Sequence, residues 1–78
     1  RGQELRKQAG KAEAEITRLQ AQCSALDQAM FDPKSAEAAL AGLTMTELMK
    51  RRADVVARIE AAEAAWLDAS TALEALSA

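Results

Sequence analysis

Histidine and tyrosine are absent from this chain of 78 residues, and cysteine, proline, tryptophan and phenylalanine occur once each. Without His the chain lacks the commonest general base and the commonest metal ligand. A lone Cys23 forms no intrachain disulfide, which reads as a reducing, cytoplasmic setting. Val and Ile are scarce and large aromatic fillers few, a poor basis for a sandwich or barrel core. No stretch alternates with period two, so no strand is expected. No run approaches the roughly 18 apolar residues of a membrane span, and no signal-peptide pattern is present. Ten basic against twelve acidic residues give a net charge of −2, too balanced to announce a nucleic-acid binder from charge alone. Gly-rich phosphate loops, metal-ligand spacings and nucleophile–base sets are all missing. The expectation is a single small domain that is not an enzyme and carries no cofactor or metal. A first residue that is Arg1 rather than Met reads as the start of a fragment of a longer protein.

What is present is helix. Half the chain is hydrophobic, and Ala supplies much of that half. Between Met45 and Leu76, apolar residues recur at alternating steps of three and four: Met45, Leu48, Val55, Ile59, Ala62, Trp66, Ala69, Leu73 and Leu76, with Arg52 the one polar member. The mean step of about 3.5 residues is the period of a coiled-coil seam. An earlier seam runs through Leu5, Ala9, Ala12, Ile16, Leu19, Cys23, Leu26 and Met30, with Glu, Arg, Lys and Gln between its members. Gly10 is its weak spot, costing about 1 kcal/mol against Ala in mid-helix. Glu4 with Lys7 and Lys11, and Glu15 with Arg18, add support along helix one. Pro33 stops helix one, and Asp32-Pro33 also reads as a cap followed by a first-turn proline. A short helix is expected over Lys34 to Ala41, ended by Gly42. Thr44 and Glu47 form a capping-box signature for helix two, with Thr46 the competing cap. The expected elements are therefore helix one at about 3–30, a connector at 31–44 and helix two at about 45–76.

The connector is too short for a parallel pair, which would need roughly 40 Å spanned by some 13 residues. The fold expected is all-α: an antiparallel two-helix coiled-coil hairpin with a short helical connector. Pairing outward from the turn places Met30 by Met45, Leu26 by Leu48, Cys23 near Arg52, Leu19 by Val55, Ile16 by Ile59, Ala12 by Ala62 and Ala9 by Trp66. Trp66 then fills the space left by Ala9 and Gly10, large against small. This register leaves Leu73 and Leu76 overhanging Arg1, to be covered by more of helix one, a neighbouring domain of the parent protein, or self-association.

For function, the basic residues Lys50, Arg51 and Arg58, with Lys34 near the turn, are the candidate contacts to phosphates. Glu47 and Asp54 interrupt them and no aromatic accompanies them, so a plain solvated face is the competing reading. Glu60, Glu63, Asp68 and Glu74 read as solvated surface. Arg52 on the seam has three readings: snorkelling outward, pairing with Asp27, or fixing register. Cys23 reads as a small buried hydrophobe, and Trp66 as a packing anchor. Met30, Phe31, Met45 and Met49 are expected to form a mini-core at the turn, the alternative being an exposed contact knob.

Leu5-Arg6-Lys7, Glu15-Ile16-x-x-Leu19, the Asp32-Pro33 breaker, Glu47-Leu48, Ile59-Glu60 and above all Ala65-Trp66-Leu67-Asp68 before Leu73-Glu74-x-Leu76 resemble the C-terminal coiled-coil extension of ABC-F ATP-binding cassette proteins. The resemblance spans almost the whole chain. It implies a cytoplasmic parent whose two ATPase cassettes, outside this chain, bind and hydrolyse ATP. It further implies an accessory arm, contacting ribosomal RNA or DNA in translation-related work. The alternative is a protein–protein or dimerisation coiled coil without nucleic acid.

Overall fold

The computed structural model describes residues 2–77. Two helices, α1 (Gly2–Phe31) and α2 (Met45–Ser77), flank a single 3-10 turn at Pro33–Ser35. Both helices run within two residues of the bounds read from the seams. There is no strand among the described residues. The helices run antiparallel. Asp27 of α1 pairs with Arg52 of α2, while Glu13, fourteen residues earlier, bonds Trp66, fourteen residues later. The result is a rod of 52 × 17 × 14 Å, one helix pair thick. Arg1, where the expected overhang and fragment start were placed, lies outside the described residues.

The core follows the two seams. Ala12, Leu19 and Leu26 are buried on α1, and Leu48, Val55, Ala62 and Ala69 on α2, in each case at seven-residue intervals. Leu19 is completely sealed. The alternate seam members Ala9, Ile16 and Cys23 of α1, and Arg52, Ile59, Trp66 and Leu73 of α2, are only half-buried. A two-helix rod has no third layer to cover them, so every second level of the seam lies at the edge of the contact. Ala29, one turn beyond Leu26, is also buried.

The connector differs from the expected short helix. Asp32 caps the 3-10 turn by accepting a hydrogen bond from the Lys34 N–H, and Pro33 occupies its first turn. At Ala36 the backbone is extended (φ −65°, ψ 145°), which ends the turn after three residues. The chain then bends again. The Leu40 and Ala41 N–H groups both donate to the Glu37 carbonyl, and Gly42 takes φ 87°, open to glycine at little cost. These bends lay Ala36, Leu40 and Leu43 against the Leu26–Leu48 end of the core.

That cover displaces the expected methionine mini-core. Met30 is half-buried against the core, but Phe31 is 90% exposed, Met49 58% and Met45 51%. Phe31 and Met49 each follow a seam residue by one position, about 100° round the helix. They therefore point away from the partner helix, and the turn end carries an exposed apolar knob.

Trp66 is also placed differently from expectation. Its ring is half-buried at the edge of the seam, and its indole Nε1–H donates to Glu13 Oε1 at 2.9 Å. Gly10 is exposed, and a methyl group added there would meet nothing within 4 Å. Gly10 therefore leaves no socket for the ring. The cause is the direction of helical side chains, which lean toward their own helix N-terminus. In α2 that direction is toward the turn, so Trp66 reaches one turn further along α1, past Ala9 to Glu13. Arg52 does the same, passing Cys23 to reach Asp27.

Candidate nucleic-acid interface

Lys50, Arg51 and Arg58 lie on one side of α2 and share a groove of about 630 Å³ between α2, the C-terminal third of α1 and the connector. Its floor contains Leu26 and Val55 from the two seams, and Leu40 closes it from the connector side. Two acids, Glu37 and Asp54, also line it. The sequence spacing explains the convergence: residues 50, 51, 54 and 58 fall on one flank of a 3.6-residue helix, beside the buried 48–55 stripe. Lys34 does not line this groove; the cap at Asp32 fixes its backbone in the 3-10 turn instead.

The cations differ in availability. Arg58 Nε is held by Asp54 Oδ2 at 3.0 Å, and both side chains remain more than half exposed. Such a pair is worth about 0.3–0.5 kcal/mol and is easily exchanged for a stronger anion. Lys50 and Arg51 form no ion pair among the described residues. Three cations against two carboxylates leave the groove locally positive in a chain of net charge −2. Arg52, although next in sequence, is removed from this group. Its Nε donates to Asp27 Oδ1 at 2.6 Å, and this hydrogen bond, then the carboxylate charge, hold the guanidinium above the ordinary arginine range. Of its three sequence readings, pairing is the one observed.

Arg58 also acts across the hairpin on Glu15. That carboxyl is held below its ordinary value of 4.5, first by its hydrogen bond from Arg18, against an opposing effect of desolvation, then by the charges of Arg18, Arg58 and Lys11. The Arg18–Glu15 pair expected along α1 is present, whereas Glu4 accepts a weak hydrogen bond from Gln8 rather than pairing with a lysine.

Sequence reasoning missed the connector's part in this site. Glu37, Ala39 and Leu40 form the wall that turns a flat helix flank into a groove. The signal was there in Ala36, Leu40 and Leu43, whose steps of four and three continue the apolar spacing across the turn. No group of three or more Cys, Asp or Glu side chains fit to hold a metal ion occurs among the described residues, and none of the described helices is long and apolar enough to cross a membrane. No protein-family model, curated protein or solved structure matches the chain.

Proposed function

We propose that this hairpin is a non-catalytic accessory arm that touches nucleic acid through Lys50, Arg51 and Arg58, with Lys34 as an outlying contact. The observation that carries the proposal is the convergence of three cations on one groove, two of them without an ion-pair partner among the described residues. Phosphate contacts from flexible cations supply affinity and orientation without reading sequence. The resemblance to the ABC-F extension supports placing the arm behind two ATP-hydrolysing cassettes in a cytoplasmic parent, with ribosomal RNA or DNA as the surface touched. The arm's task in that parent is contact, and ATP turnover belongs to the cassettes.

The test is a salt titration of binding to ribosomal RNA and to DNA, comparing the native chain with Lys50→Glu/Arg51→Glu/Arg58→Glu. Each phosphate contact contributes about 0.7–0.9 to the slope of log K against log salt. The triple variant should bind more weakly and lose roughly two units of slope. Equal affinity and slope in both proteins would dismiss the basic groove.

A second reading, docking onto a protein, is favoured by the knob of Phe31, Met45 and Met49 at the turn end. Substitution of all three by Ser separates the readings: it leaves nucleic-acid binding intact and removes docking.

A further inference from the structure

We infer that the groove between α2 and the connector accepts one unpaired nucleotide of a single strand, so that the arm prefers single-stranded or looped nucleic acid over duplex. This rests on the nucleic-acid reading above and extends it from phosphate contact to base contact.

Three features of the groove carry it. The first is shape. A stripe of cations on a bare helix would lie against a duplex backbone, but here Lys50, Arg51 and Arg58 border a concavity. At about 630 Å³ it falls in the size class of small-ligand clefts, roughly 300–1,000 Å³. That accommodates a nucleotide, whereas the body of a duplex cannot enter. The second is the floor. Above the sealed Leu26 and Val55, Ala25, Ala39 and Leu40 present apolar surface beside the cations, which phosphates alone have no use for and a base face covers favourably. The third is Arg58. Its guanidinium, only loosely paired with Asp54 at 3.0 Å, borders the same groove, and a guanidinium plane is a stacking partner for an unstacked base. Lys50 and Arg51 then take the flanking phosphates. Glu37 and Asp54 on the same lining offer acceptors for the exocyclic amino group of a base and disfavour a groove packed with phosphates.

The experiment is fluorescence anisotropy with three kinds of labelled probe of roughly 12 nucleotides, within the usual span of a single-strand site. They are a mixed-sequence single strand, made both as RNA and as DNA, the same strand with abasic sites throughout, and the corresponding duplex. The expected result is binding of the single strand about tenfold tighter than the abasic strand, which carries the same phosphates, and tighter than the duplex. Ala39→Trp adds an aromatic face at an exposed position of the lining; it should tighten the single strand several-fold and leave the abasic strand unchanged. Leu40→Glu should weaken the single strand toward the abasic level, with circular dichroism confirming that the hairpin is intact. Equal affinity for all three probes, abolished by charge reversal at Lys50 and Arg51, overturns the base inference and leaves the phosphate reading standing. Binding of none of them removes both. Displacement of the strand by an acidic amphipathic peptide that binds more tightly than any probe also overturns the inference and makes the groove a peptide site.

Discussion

Single residues in this hairpin are decided by two geometric facts, the lean of helical side chains and the sign of φ. Gly10 and Gly42 show the second clearly. Gly10 is in mid-helix, exposed, and has open space where a Cβ would go. Gly10→Ala should therefore stabilise the hairpin by up to about 1 kcal/mol, the difference in helix propensity. Gly42 also has open space, but its φ is 87°. Gly42→Ala should destabilise by about 1 kcal/mol, because strain and not crowding opposes the methyl group. Urea unfolding of the two variants checks both signs at once; two shifts in the same direction would contradict the backbone described here. Reading the sequence as large against small put Gly10 under Trp66, and that pairing fails for a physical reason. Seam spacing fixes which Cα atoms face each other across the hairpin. It does not say where a long side chain ends up, which depends on the direction of its Cα–Cβ bond. Adding that lean to the seam register gives Glu13 for Trp66 and Asp27 for Arg52, both as observed.

Elements are decided by their ends and by what lies one turn away. The start of α2 is a reciprocal cap: Glu47 N–H donates to Thr44 Oγ1 at 3.1 Å, and Thr44 N–H donates to Glu47 Oε1 at 3.3 Å. Thr44→Ala should cost about 1 kcal/mol in thermal or urea unfolding, while Thr46→Ala, outside the box, should cost much less. This cap, the stop at Pro33 and the two long seams were legible in the sequence because each is a local rule acting over three or four residues. The connector was less legible. Its Ala-rich stretch has helix propensity, but the extended Ala36 and the packing of Leu40 and Leu43 on the core override it. The groove is a consequence of that fold-back, so its cations were legible as a cluster and its concavity was not. Within α1, the Arg18–Glu15 pair gives a pH prediction. Glu15 titrates below its unfolded value in the folded hairpin. Its contribution is therefore present above the ordinary glutamate range and is lost as pH falls through the folded value. The melting temperature should drop on acidification from about pH 7 to about pH 3. In Glu15→Gln that drop should be smaller, and the melting temperature near pH 7 slightly lower. An identical pH profile in the two proteins would remove the pair from the account.

At the scale of the whole molecule, the question is whether one hairpin satisfies its own apolar surface. The central levels are closed: Leu19 is fully buried, and Leu26, Leu48 and Val55 nearly so. What stays exposed lies toward the two ends of a 52 Å rod, with Phe31, Met45 and Met49 at the turn, Leu76 at the far end and Leu67 nine residues before it. The sequence register left Leu73 and Leu76 equally uncovered, yet Leu73 is half-buried and only Leu76 reaches 49% exposure. A second copy docking through the terminal leucines alone would have about half of one side chain and a smaller part of another to bury on each side. That falls well short of the roughly 1,000 Å² expected of a specific interface. The chain should therefore sediment as a single 8.3 kDa species at micromolar concentration, with a frictional ratio reflecting its length and a scattering radius of gyration near the 16.3 Å of its Cα atoms. A two-chain mass that reverts to one chain in Leu73→Lys/Leu76→Lys would show that the terminal leucines do recruit a second copy. The groove, lying toward the opposite end of the rod, would remain open in that assembly, so strand binding and self-association can be measured independently.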